Sequence, residues 1–503
     1  MFPWFTPKSL LSRKEVEGGL RYVIYDGIAT HALVSLTGGV FMVAFALQLG
    51  ASNLMIGILA AIPPLVALVQ IPAVWVINRV RNRRLICICT STISRSLWLG
   101  IAALPFLFPP DIALLLFIVL IGLYSAISSI GGCSWSSWMR DLVPQERLGS
   151  FFSRRWSLAL AVGIVISLAA SAFVDGWKGQ DPGSITTAYS AIFVAGVIVG
   201  YIGIGMLSRI PEPLLQRNQE SSFVATFRRS MQGGNFRNLL IFLALWNFSV
   251  NLAAPFFTVY LFKNIGLSIT GVIALSVFSQ IVSIFSYPLW GKFIDRYSNK
   301  TALSLAGPLF MIAILGWTFT TMPGPYSLTI PLLVLLHAVM GLSTAGVTLS
   351  GGYIGMKLAP REVATAQLAV IGVVNSLVAG IAPALGGLFV DFFSARELTW
   401  TLTWMGPSTV YAIPTLSLQN WDFFFVVAFV IGLFSLHRLA YVQETGEIDR
   451  EILVQELLTQ VRRDMRNFST IGGLRYMLHI PLSGGFTPEE EKMGIDRLSW
   501  VAA

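Results

Sequence analysis

Apolar runs, each close to the roughly 20 residues that a helix needs to cross a bilayer, follow one another along most of this chain. Backbone polar groups in lipid must be satisfied within the segment, so such runs fold as helices; the period-two alternation of a barrel is absent. The charged fraction of 12%, about half that of an ordinary soluble domain, agrees with an integral membrane protein. A span-sized window places six segments at Asp26 to Leu49, Met55 to Ile77, Leu85 to Phe108, Ile112 to Cys133, Trp156 to Val174 and Thr186 to Leu207. Six more run from Leu239 to Phe262, Ile269 to Trp290, Thr301 to Thr321, Leu328 to Ser350, Ala364 to Val390 and Trp421 to Tyr441.

The expected organisation is therefore a segment 1–25, a six-helix bundle 26–207, a polar linker 208–238, a second bundle 239–442 and a tail 443–503. Orientation follows from the distribution of Lys and Arg in short loops. With both termini cytoplasmic, only Lys178, Lys263 and Arg396 of the 34 basic residues fall outside, and Arg95 lies deep in a span. This predicts a multi-pass protein of a bacterial inner membrane, kept whole at its N-terminus. The net charge of +9 then serves the anionic inner leaflet rather than nucleic acid. Cys87, Cys89 and Cys133 sit in or beside spans without the spacing of a zinc site, so they read as packing residues. The triplets at Asn247, Asn299 and Asn467 face the membrane or cytoplasm and are not expected to be glycosylated.

The two sixes repeat. Ile77-Asn78-Arg79 aligns with Ile294-Asp295-Arg296 at an offset of 217. "DLVPQER" (Asp141 to Arg147) aligns with "KLAPREV" (Lys357 to Val363) at 216. Halves repeated in this sense are related by an axis along the membrane normal, with the ligand site between them at mid-membrane. The loop "GKFIDRYSNK" (Gly291 to Lys300) also resembles the signature Gly-x-x-x-Asp-Arg/Lys-x-Gly-Arg/Lys-Arg/Lys of the major facilitator superfamily. Gly291, Asp295, Arg296 and Lys300 match it. The first-half copy "VWVINRVRNR" keeps Arg79 and Arg83 but has Val74 and Asn78 for the glycine and aspartate, and "GIAPALGG" (Gly380 to Gly387) is similar to a further pattern of that family.

The resemblance implies an all-α transporter of twelve helices, in which Asp295 meets the start of span five at Arg154 and Arg155. Asn78, being neutral, would hold the start of span eleven near Arg361 and Glu362 less firmly. The expectation is an asymmetric cytoplasmic gate, with Gly291 letting a neighbouring helix approach. It also implies that spans one, four, seven and ten line a central cavity.

Ionisable groups within spans are costly in lipid and are functional candidates for that reason. Arg95 reads either as an attractor of an anionic group or as a contact to carbonyls between helices. Asp26 and His31 are candidates for a coupling proton, or else an interfacial cap and a packing histidine. Asn247 and Asn251, four apart on one helix face, are cargo candidates or helix-joining amides; His337, Gln280 and Asn375 are further cavity candidates. From Glu447 to Met465 the apolar spacing predicts an amphipathic helix, and "GGLRY" occurs at both Gly18 and Gly472 with no physical account.

These features point to a secondary transporter of a small solute working by alternating access, with a proton as possible partner. A lipid or amphiphile flippase and a non-transporting membrane scaffold or sensor remain as alternatives. No phosphate-binding Gly-x-x-x-x-Gly-Lys-Ser/Thr loop and no clustered acid–base or metal-binding set is present, so neither an enzyme nor a cofactor is expected. A monomer surrounded by membrane lipids is the expected state.

Overall fold

The computed structural model describes residues 7–8, 11–144, 148–177, 184–214, 234–321, 327–358, 364–406, 410–419 and 421–444. The expected tail helix, most of the linker, Arg361, Glu362, and the side chains of Asn78 and Asp295 lie outside what is described. Among these residues eleven helices are long and apolar enough to cross a membrane, and Asn53–Val69 is a shorter apolar helix where the second span is expected.

The first span is longer than expected. Helix α1 (Arg13–Thr37) starts well before Asp26, where Ser12 and Glu15 form a reciprocal capping box. It gives way to α2 (Gly39–Gln48) at Gly38-Gly39, and Gly39 takes the left-handed φ of 53° that only glycine adopts without strain. The second span is interrupted as well. Pro63 and Pro64 remove helical hydrogen bonds near the end of α3 (Asn53–Val66), a 3₁₀ turn follows, and α4 (Gln70–Val80) resumes. The half is completed by α5 (Arg83–Leu107), α6 (Pro110–Leu142), α7 (Leu148–Gly176) and α8 (Ser184–Leu207).

The second half comprises α9 (Gly234–Lys263), α10 (Ile269–Arg296), α11 (Asn299–Gly316), α12 (Thr329–Leu358), α13 (Ala364–Phe393) and α14 (Trp421–Leu439). Pro255 in α9 stands 216 residues after Gly39, so both first spans carry a helix-weakening residue at equivalent places. The helix caps put the signature loops in the same register: N-caps Asn82 and Ser298 are 216 apart, a correction of one residue to the offset read from the first loop. One element was not expected. A β-hairpin, β1 (Glu397–Met405) and β2 (Val410–Gln419), joins α13 to α14.

Each half has its own aromatic core. Phe45 meets Phe117 and Phe193 edge to face at 5.3 and 5.1 Å; Phe257 stacks on Trp317 at 4.5 Å. Outward positions such as Leu115, Val165, Phe285 and Leu289 are exposed and apolar, as lipid-facing positions are.

Candidate functional site: inter-half contacts and polar cavities

The halves meet along two helix pairs, α3 against α13 and α7 against α10. Small residues allow the first. A Cβ at Gly57 would collide with the carbonyl oxygen of Pro383, one at Gly380 with Leu65, and one at Gly387 with the Asn53 backbone. The "GIAPALGG" stretch is therefore the close-approach surface. Gly291 is not: nothing lies within 4 Å of a Cβ placed there.

A carboxylate closes each pair at the face opposite the signature loops. Asp391, near the end of α13, accepts from the Leu54 amide (3.0 Å) and from Asn53 Nδ2 (2.8 Å) at the start of α3. Asp175, near the end of α7, accepts from the amides of Ile269 (3.2 Å) and Thr270 (2.8 Å) at the start of α10. Helix N-termini present unsatisfied N–H groups and partial positive charge, so a carboxylate is the favoured partner. Every member has its counterpart 216 residues on, including the N-caps Ser52 and Ser268. Lys263 Nζ adds a 3.3 Å contact to Asn53 Oδ1.

At the signature-loop face the acid–helix contacts among the described residues stay within each half. Glu212, past the end of α8, accepts from the amides of Arg83 (2.7 Å) and Arg84 (3.1 Å) at the start of α5. Glu444, past the end of α14, does the same for Asn299 (3.3 Å) and Lys300 (2.7 Å) at the start of α11. Their surroundings exchange charge. The fully buried Arg83 bridges Glu212 and Asp141 in the first half. In the second, Asn299 stands for Arg83 and Lys357 for Asp141, and Lys357 Nζ pairs with Glu444 at 2.9 Å. Burial raises the Glu444 pKa, but the bonds from Lys357, Asn299 and Lys300 outweigh it and hold the carboxyl below the usual range. Arg296 lies over the Tyr297 ring at 5.2 Å, and Arg79 and Arg154 are exposed. Arg155 turns to α1, donating to the Val23 carbonyl at 3.2 Å and covering the Trp135 ring at 4.8 Å.

Three cavities hold six of the eight residues predicted as cavity or proton-coupling candidates. One of about 520 Å³ lies between the halves, lined by His31, Ser35 and Ser167 on one side and Pro255, Thr258 and Gln280 on the other. A second, of about 270 Å³, lies inside the first half and contains Asp26, Thr30, Arg95, Tyr124, Trp135 and Arg155. Here Arg95 Nη2 sits 3.9 Å from Asp26 Oδ1 and 2.9 Å from Thr30 Oγ1, and Nη1 donates to the Gly200 carbonyl. Arg95 thus makes the expected contact to a carbonyl between helices, and it also borders the cavity. The Trp135 indole N–H is buried with no partner among the described residues.

The third cavity, about 380 Å³, lies in the second half, where Asn247 and Asn375 meet at 3.1 Å among Trp246, Phe310 and Val347. Asn251 and His337 line none of the three. Asn251 donates to the Asn247 carbonyl, and His337 Nδ1 lies 2.7 Å from the Leu333 carbonyl beside Trp317. The residues that sequence reading passed over are Asp175, Asp391, Glu212 and Glu444.

Comparison with known proteins fits this architecture. Over 116 residues the chain is 29% identical to an MFS-type transporter of Aspergillus terreus (strain NIH 2624 / FGSC A1156), a match covering 23% of this chain and only 20% of that relative. The fold is similar to those of the D-xylose-proton symporter (TM-score 0.63, 15% identity, 86% of this chain and 100% of that one) and the nucleoside transporter NupG (0.60, 13%, 86% and 100%). It is also similar to a bacterial homologue of the iron transporter ferroportin in an inward-facing state (0.56, 11%, 86% and 100%). The family model described as Major Facilitator Superfamily matches residues 28–383 and 239–478. With repeated halves that meet through equivalent helix pairs, and a family match across most of its length, the chain belongs to the Major Facilitator Superfamily.

Proposed function

We propose that the protein is a secondary transporter that moves a small solute by rocking its two halves about the cavity between them. The observation that carries this reading is the pair of carboxylate clamps at Asp175 and Asp391. They close one face through contacts related by the repeat, so a single rigid rotation breaks both together. At the other face the described acid–helix contacts at Glu212 and Glu444 are internal to a half and survive that rotation. With the termini cytoplasmic, the closed face is the outer one and the state is inward-facing. The gate at Asp295 and Asn78 would then form in the opposite state.

Asp26 and Arg95 are the pair for a coupled proton: a buried carboxylate beside a guanidinium, bordering a polar cavity one helix turn from His31. A D-xylose-proton symporter among the similar folds is in keeping with such coupling. A second reading, an amphiphile carrier, is favoured by one contrast: the first-half cavity is charged, whereas the second-half cavity has no charged lining residue and sets Asn247 and Asn375 among Trp246, Phe310, Val250 and Leu243.

A thermal-shift screen of polar solutes and amphiphiles on purified protein identifies the cargo class. Reconstitution into vesicles then measures uptake and accompanying proton flux. Transport that persists while Asp26→Asn abolishes proton movement supports coupling at that residue. A ligand that binds while single-cysteine labels remain accessible from one face only favours the scaffold or sensor reading and overturns ours.

A further inference from the structure

The hairpin between α13 and α14 has no role in the two-half mechanism, and its sequence is unusual for a loop in water. From Leu398 to Asn420 there is no Asp, Glu, Lys, Arg or His. In β1 the alternation is strict. Leu398, Trp400, Leu402 and Trp404 occupy one set of pleat positions and Thr399, Thr401 and Thr403 the other.

The register pairs apolar with apolar. Leu398, Trp400, Leu402 and Trp404 stand opposite Leu418, Leu416, Ile413 and Tyr411. The apolar phase of β2 slips by one residue between Ile413 and Leu416, and the strands accommodate this with a bulge at that point. The irregularity thus keeps the apolar positions of the two strands paired in the register.

The apolar positions of β1 are more than half exposed. Leu398, Trp400, Leu402 and Trp404 are 55%, 69%, 55% and 68% exposed. A two-stranded ribbon is marginal in water by itself, so this one needs a surface. Its ends are joined to two membrane-spanning helices, at Phe393 and Trp421, which hold it at the membrane boundary. The exposed row Ile381, Leu385, Leu388 and Phe392 on α13 leads towards it, and Arg396 folds back over the Phe392 ring. Indole rings alternating with threonines are the chemistry of the headgroup region.

We propose that the β1–β2 hairpin lies on the bilayer at the face opposite the signature loops, with its Leu/Trp face in the headgroup–acyl boundary. It anchors the second half at that surface.

The test uses the full chain with Cys87, Cys89 and Cys133 replaced by alanine and a single bimane label at Leu402→Cys or Thr403→Cys. Protein is reconstituted in phosphatidylcholine vesicles containing a shallow doxyl-labelled lipid, with iodide as the aqueous quencher. We expect lipid quenching to be several-fold stronger at position 402 than at 403, and iodide quenching to show the reverse order. Equal quenching at the two positions overturns the proposal. So does protection of position 402 that appears only at high protein-to-lipid ratio, which indicates a second copy, or protection from both quenchers, which indicates a protein cover. Quenching of intrinsic fluorescence by brominated lipid in the unlabelled chain gives an independent reading. It should fall on Trp400→Phe/Trp404→Phe, and an unchanged value counts against the proposal.

Discussion

Asp175 and Asp391 stand 216 residues apart and do the same thing: each closes the start of a helix belonging to the other half. Loss of a charged or polar cap costs about 0.5–2 kcal/mol. Asp175→Asn and Asp391→Asn should each shift the population away from the closed outer face by several-fold, and the double variant by roughly the product. Distances between spin labels on α3 and α13 at that face measure it; an unchanged distribution in the double variant counts against the clamp.

Gly57 and Gly291 should respond oppositely to alanine. A Cβ at Gly57 meets the Pro383 backbone, which cannot yield as a flexible side chain can, so overpacking of about 1–3 kcal/mol is expected, with α3 pushed from α13. At Gly291 the space is open, and alanine should be neutral or stabilising by up to about 1 kcal/mol through helix propensity. Thermal melting in detergent compares the two directly.

Breaking the Asp26–Arg95 pair from one side leaves a buried charge. Asp26→Asn alone should lower stability by about 3–5 kcal/mol as a single-partner loss, and Asp26→Asn/Arg95→Gln should recover part of it. A double-mutant cycle on melting temperature tests the coupling. Additive losses would show that Arg95 is held by Thr30 and Gly200 instead.

Glu444 has its carboxyl below the usual range when folded. Its contribution is therefore complete above the unfolded-state value and is lost as pH falls through the folded one. Glu444→Gln should melt lower than the unaltered chain at neutral pH, and the gap should close on acidification below the ordinary carboxylate range. A gap that stays constant with pH would mean that charge at Glu444 is not what matters.

Much of the clamp was legible in the chain. "FVD" occurs at Phe173 to Asp175 and again at Phe389 to Asp391, at the offset of the second loop pair, so extending the repeat along the spans finds both carboxylates. Glu212 and Glu444 escape that search. They are 232 residues apart, because the hairpin lengthens the connection before α14 and moves the register. Gly291 shows the converse: its place in a motif suggested a close approach, and the approach occurs at Gly57, Gly380 and Gly387.

By itself the sequence determined that the chain crosses a membrane many times and does so in two equivalent halves. Apolar length and backbone hydrogen bonding leave a chain in lipid no other solution. Which carboxylate meets which helix, and that Arg83 with Asp141 in one half answers to Asn299 with Lys357 in the other, was decided only by the tertiary structure. Such contacts join residues more than a hundred positions apart in some cases, and a polar side chain takes whichever unsatisfied N–H group or opposite charge the packing of the helices brings within reach.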